Sequence, residues 1–314
     1  MKFAAVFPGQ GSQRVGMLQE IATTQPVIEH TFAEASAVLG YDLWRLTQQG
    51  PESDLNQTIH TQPVLLTASV ALWRAWQQAK GPEPSLLAGH SLGEYVALVI
   101  AGALQFNDAL HLVAKRGELM QSAVPADQGA MAAVLGLTDD KIVTACQEAA
   151  EITQACVMPA NYNAPGQVVI AGEKAAVEKA IELCKAAGAK RAIALPVSIP
   201  SHCALMKSAS EQFAHVLAKT PMVSPRISVL HNVDVDTHTH PDDIRACLVA
   251  QLYSPVRWVE TVKTLADEGL KVVIECGPGN VLAGLNKRID ERLQTLSIAQ
   301  PDGLEQALTC VAGV

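Results

Sequence analysis

At 314 residues, with 49% hydrophobic and 17% charged side chains, the chain can bury a large core and is too apolar to remain disordered. That length suits one large domain with an insertion as well as it suits two domains. A formal net charge of -8 argues against a nucleic-acid footprint, so an acidic partner would have to be met by a local basic patch.

Lys2–Phe7 reads as a short buried strand stopped by the turn residues Pro8 and Gly9. Only five apolar residues stand between Lys2 and Pro8, too few for a secretory signal core. Helical patterning follows to about Leu39 and again from Gln62 to Gln78. Ser85–Gly89 is the next strand, Leu92–Ala101 a helix, and Asn107–Ser122 another. The apolar run Tyr95–Leu104 is too short to cross a bilayer. From 128 to 197 the order is strand, helix, two strands around the turn Asn163-Ala-Pro-Gly166, helix and strand, which is the βαββαβ of a ferredoxin-like unit. The expected fold is α/β. Residues 1–127 and 198–314 form an α/β-hydrolase-like core with a mostly parallel sheet, and 128–197 a ferredoxin-like inserted subdomain. Seven widely spaced cysteines without a Cys-x-x-Cys pair point to reduced thiols and a cytoplasmic protein.

The strand at Ser85–Gly89 runs into Gly89-His-Ser-Leu-Gly93 and then a helix. In a strand–Gly-x-Ser-x-Gly–helix arrangement the serine sits on a strained turn with its oxygen exposed above the sheet. A hydroxyl there needs a base and an oxyanion site to act as a nucleophile. Leu92 supplies one backbone N–H at the helix start. The glycine-rich turn Phe7-Pro-Gly-Gln-Gly-Ser-Gln13 lacks the Gly-Lys-Ser/Thr of a phosphate loop, so the better role for Gln10 is a second oxyanion amide. Of nine histidines, His90 adjoins Ser91 but should diverge from it at a sharp turn. His202 lies past a strand end in Ile-Pro-Ser-His, where Ser201 reads as a helix N-cap and the helix terminus would keep the imidazole neutral. His231, His238 and His240 with Asp234 and Asp236 read as solvated loop rather than as a metal site, so no metal is expected.

Arg116 has Leu112, Val113, Leu119 and Met120 at its i±3 and i±4 positions, which puts its guanidinium on a buried helix face. A buried arginine needs an anion. Either a protein carboxylate or a dicarboxylic acyl group would serve, the latter through two parallel hydrogen bonds.

The motifs FPGQGSQ, GHSLGE, Arg116, Pro-Ser-His202 and Gly-Pro-Gly at 277–279 together resemble the malonyl-CoA:acyl carrier protein transacylases, nearly end to end. The resemblance implies transfer of a malonyl group from coenzyme A to the phosphopantetheine thiol of acyl carrier protein, feeding fatty acid synthesis through a malonyl-serine. By that likeness Ser91 is the nucleophile, His202 the base, and Gln251 the glutamine whose carbonyl orients the histidine. Gln10 and Leu92 become the oxyanion donors and Arg116 the carboxylate clamp, with Gln62 and Asn161 in the pocket. A coenzyme A thioester and an acyl carrier protein are the implied partners, with no bound cofactor, nucleic acid or membrane, and the expected assembly is a monomer. Lys190, Arg191, Lys287 and Arg288 are the candidate basic docking residues for an acidic carrier. The rival reading is a serine thioesterase or esterase on the same core, which would order its triad Ser, Asp or Glu, His and use an HGGG-type loop that this chain lacks.

Overall fold

A computed structural model describes residues 2–125, 127–197 and 199–312. Among them five strands form a parallel sheet in the order β7-β2-β1-β8-β9. These are β1 (Phe3–Phe7), β2 (Leu86–Gly89), β7 (Val229–Leu230), β8 (Val272–Glu275) and β9 (Gln294–Ser297). Each neighbouring pair is parallel. Alternate residues of β1 feed opposite faces: Phe3, Ala5 and Phe7 join one apolar cluster, Ala4 and Val6 another. That is why β1 is an unbroken apolar run, since helices cover a parallel sheet on both sides.

The remaining strands are β3 (Gly129–Leu135), β4 (Val157–Ala164), β5 (Gln167–Glu173) and β6 (Arg191–Ala194), in an antiparallel sheet ordered β4-β5-β3-β6. With helices Asp139–Thr153 and Lys174–Ala186 they give the βαββαβ sequence and strand order of a ferredoxin-like unit. One sheet face packs on those helices through Ala132, Val134, Val168 and Ile170. The other, through Met131, Val169 and Ala171, packs on Cys203. The second sheet thus rests on the chain beside His202. β6 is shorter than the expected strand to Val197, because the Val197 N–H folds back onto the Leu195 carbonyl at 2.8 Å. The expected boundary at 197/198 meets Ser198, which lies outside the described residues, as do Met1 and Val314 at the outer ends of the core.

Pro26 splits the expected N-terminal helix into Gln19–Thr24 and Val27–Leu39, while Thr58–Gln78 starts four residues ahead of Gln62. No helix among the described residues is long and apolar enough to cross a membrane.

β1 lies between β2 and β8, so the chain leaves it toward opposite sides. The crevice outside the carboxyl ends at such a switch point is where open α/β sheets place ligands. Phe7 pairs with Gly89, which sets the loop holding Gln10 beside the turn holding Ser91.

Candidate active site

Ser91 sits at φ +53°, a left-handed conformation that side chains other than glycine adopt only under constraint. The turn closes because its flanks are bare. A Cβ on Gly89 would stand 1.9 Å from the Gly93 carbonyl carbon, and one on Gly93 would stand 2.0 Å from the Phe7 carbonyl oxygen. The helix Gly93–Ile100 begins at once, with Leu92 at its N-terminus.

Ser91 Oγ lies 2.7 Å from His202 Nε2, and His202 Nδ1 lies 2.7 Å from the Gln251 main-chain carbonyl oxygen. A carbonyl can only accept, so Nδ1 carries the proton and Nε2 is the acceptor facing the serine hydroxyl. Burial, then the Arg116 charge, push the His202 pKa down to about 3, which keeps the imidazole neutral. Ser201 does not cap a helix. The chain makes a short 3-10 turn at Ala204–Met206 before the helix Lys207–Lys219, and the Ser201 N–H bonds the Ile199 carbonyl at 2.9 Å. Burial and the neighbouring guanidinium therefore do what the sequence reading gave to a helix terminus.

Arg116, on the helix Phe106–Ser122, is 2% exposed. Its Nη1 donates to Gln62 Oε1 at 3.0 Å, and its Nη2 to Gln251 Oε1 at 2.9 Å and Ser91 Oγ at 3.2 Å. The Tyr95 ring centroid lies 5.3 Å from its central carbon. Its Nε–H is buried without a hydrogen-bond partner among the described residues. Every acceptor it has is neutral, and no ion pair among the described residues involves it. Of the two anions weighed from the sequence, the protein carboxylate is absent from these contacts.

Gln10 and Leu92 stand three residues past the paired positions Phe7 and Gly89. Among the described residues no hydrogen bond takes up either backbone N–H. Gln62 is buried and held by Arg116 and by the Met120 sulfur at 3.6 Å. Asn161 is brought by β4 to Val256, just beyond Gln251, but no side-chain hydrogen bond among the described residues joins it to the Ser91 cluster. Lys190, Arg191, Lys287 and Arg288 are exposed. Arg288 bonds Gln167, and both Gln167 and Arg191 lie opposite Leu135 across β3, so the two basic pairs border one rim. His90 turns away from Ser91 to bond Asn163 Oδ1 at 2.8 Å.

The histidines near 231–240 go to separate tasks. His231 donates to Glu94 at 2.7 Å, and His240 caps the helix Pro241–Gln251. His238 bonds Asp234 at 2.7 Å, and Cys247 bonds the same carboxylate oxygen at 3.6 Å.

Sequence reasoning passed over Glu94 and Asn232, both fully buried beside the elbow. Glu94 accepts from His231, from the Asn232 backbone N–H at 3.0 Å and from Gln251 Nε2 at 2.8 Å. Its signal was available: Ala97 and Leu98 at i+3 and i+4 mark a buried acid by the same test that marked Arg116. Asn232 carries no local signal, because it meets the elbow only through the pairing of β7 with β2.

Residues 5–299 match the family described as the acyl transferase domain. The malonyl CoA-acyl carrier protein transacylase of Salmonella typhimurium is 57% identical over 308 residues, covering 98% of this chain and 99% of the relative. A crystal structure of an acyl carrier protein S-malonyltransferase from Vibrio cholerae superposes with a TM-score of 0.94 at 56% identity, covering 98% of this chain and 99% of that one. A malonyl-transacylase solved in complex with a holo type II PKS acyl-carrier protein gives 0.97 at 55% identity, covering 99% and 100%.

Proposed function

The chain belongs to the acyl transferase domain family, and on that premise we infer that it is an [acyl-carrier-protein] S-malonyltransferase of fatty acid synthesis. The observation that carries this reading is Arg116: a buried guanidinium, without a carboxylate partner, 3.2 Å from the nucleophilic oxygen.

Malonyl-CoA enters with its free carboxylate on Arg116, which sets the thioester carbonyl over Ser91. His202 Nε2 takes the Ser91 proton as Oγ bonds the carbonyl carbon. The N–H groups of Gln10 and Leu92 hold the oxyanion. The C–S bond then breaks, His202 returns the proton to the sulfur, and coenzyme A leaves. The phosphopantetheine thiol of an acyl carrier protein gives its proton to His202, attacks the malonyl-serine ester and releases Ser91. No step needs a metal or a bound cofactor. The Gln251 carbonyl steers His202 throughout, while Gln62 fixes Arg116; Asn161, buried on β4 beside Val256, is the remaining pocket residue. A hydrolase reading would want a carboxylate behind the base, where this chain has a main-chain carbonyl.

The carrier's acidic surface meets the rim of Lys190, Arg191, Lys287 and Arg288. The His90–Asn163 contact supports this placement, since it joins the elbow to the β4–β5 hairpin, whose turn meets β5 at Gln167. The division into a core of 1–127 and 198–314 with 128–197 inserted is supported by β3–β6 all falling inside 129–194.

Incubation with malonyl-CoA should add one malonyl group by intact mass, at Ser91. Persistent labelling of Ser91→Ala would defeat the assignment.

A further inference from the structure

We propose that Asn232 is a positioning residue that clamps the nucleophile turn, and that Glu94 holds this clamp in register with the groups steering His202 and Arg116. The proposal rests on Ser91 being the nucleophile.

A left-handed serine between two closely packed glycines is a conformation that its surroundings must enforce. The Asn232 side chain bridges the bend. Its Nδ2 donates to the Gly89 carbonyl at 2.6 Å, and its Oδ1 accepts the Ser91 N–H at 2.8 Å. One planar carboxamide thus ties the residue before the turn to the strained residue itself. Sheet register puts it there: Ala88 pairs with Leu230, so two residues on, His90 and Asn232 lie side by side. Asn232 is fully buried, so water cannot replace either bond.

Glu94 fixes the clamp's own position by accepting the Asn232 backbone N–H on Oε2 at 3.0 Å. The same oxygen accepts Gln251 Nε2 at 2.8 Å. That bond, together with the one Nε2 donates to the Ser91 carbonyl at 3.1 Å, decides which way the Gln251 amide faces. With Nε2 on Glu94, Oε1 is left toward Arg116, and the Gln251 main chain holds His202. A single buried carboxylate oxygen therefore joins the supports of nucleophile, base and arginine.

The test is the rate of Ser91 acylation by malonyl-CoA and by acetyl-CoA, followed by rapid quench and intact mass. Asn232→Ala should acylate about 10- to 100-fold more slowly with both donors, since a misplacement near 1 Å can cost 10²-fold. Its final labelling should stay at one acyl group per chain, and its malonyl-to-acetyl preference should be unchanged because Arg116 keeps both glutamine contacts. A residue that served only stability would lower the fraction labelled and leave the rate of the folded fraction alone. Should Asn232→Ala not fold, Asn232→Asp keeps the volume and the acceptor for Ser91 N–H but sets an oxygen against the Gly89 carbonyl, and the same slowing is expected. A folded variant that acylates within about twofold of the parent overturns the clamp. The parent chain, run in parallel, separates the two readings: an unlabelled Ser91 there defeats the proposed function and the clamp with it.

Discussion

Replacing Arg116 with alanine should abolish the preference for malonyl over acetyl donors. In the resting site the guanidinium is 2% exposed and has three neutral oxygens to donate to, none of them a carboxylate. The malonyl carboxylate would be its first anionic partner, in surroundings too dry for salt to screen. Truncating one member of such a buried pair costs roughly 2–5 kcal/mol. Binding also displaces at least one existing bond, the longest being that to Ser91 Oγ, so the net loss should fall near the middle, about 3–4 kcal/mol. At about 1.4 kcal/mol per tenfold, that is roughly 140- to 700-fold in kcat/KM for malonyl-CoA. Acetyl-CoA brings no carboxylate and should lose less than about tenfold, the share owed to the lost contact with Ser91 Oγ. Arg116→Lys should recover only part of the malonyl rate, because an ammonium cannot span Gln62, Gln251 and a carboxylate with planar paired donors. The assay is kcat/KM for both donors with holo carrier protein as acceptor. Equal losses for the two would refute the pairing, whatever their size.

Two further outcomes follow from the electrostatics. His202 is held neutral down to about pH 3, whereas the same side chain in an unfolded chain titrates near 6.5. Between those values the unfolded chain binds the extra proton, so this group's effect is a loss of stability as pH falls from 6.5 toward 3. His90, also lowered by burial, acts in the same sense and remains in any His202 variant. His202→Ala should therefore show a shallower fall of melting temperature between pH 7 and 4, and a fall parallel to the parent's would contradict the shift. On the rim, paired reversal of Lys287 and Arg288, or of Lys190 and Arg191, to glutamate should raise the carrier's KM about three- to tenfold at low salt, and less as ionic strength rises. Acylation by malonyl-CoA alone should be unaffected. A carrier KM that stays put in both double variants would remove the rim from the docking surface.

The parts of the site that rest on short-range sequence were legible, and those assembled by strand register were not. The elbow could be read because strand, glycines, serine and helix are consecutive, and the close contacts at Gly89 and Gly93 show why both flanks are glycine. The burial of Arg116 could be read from helix periodicity, and its four apolar neighbours are indeed core. Ser201 shows the limit of local signals. Pro-Ser ahead of a helical pattern has the composition of a cap, yet the packing of Cys203 against β3 and β5 delays the helix to Lys207. Asn232 shows the limit from the other side. Its partners are 141 and 143 residues away in the chain, and only the parallel pairing of β7 with β2 brings them together.

Gln251 explains why a glutamine stands where hydrolases of related geometry place a carboxylate. Its main-chain oxygen holds Nδ1 of His202, while its side-chain Oε1 accepts from Arg116. A carboxylate in that side-chain position would face the guanidinium at 2.9 Å and form the buried ion pair that the sequence alone had allowed. Arg116 would then be neutralised by the protein and have little to gain from a dicarboxylic acyl group. The carboxylate nearby, Glu94, is kept off the arginine by the Gln251 amide between them and is answered by His231 on its other oxygen. On the proposed mechanism, orienting the base through a main-chain carbonyl leaves the Arg116 guanidinium without a carboxylate until the substrate brings one. A Gln251→Glu variant would keep the main-chain bond to His202 and set one oxygen on Arg116, but its other oxygen would meet Glu94 Oε2 where Gln251 Nε2 now donates at 2.8 Å, so that carboxylate pair would have to hold a proton between them.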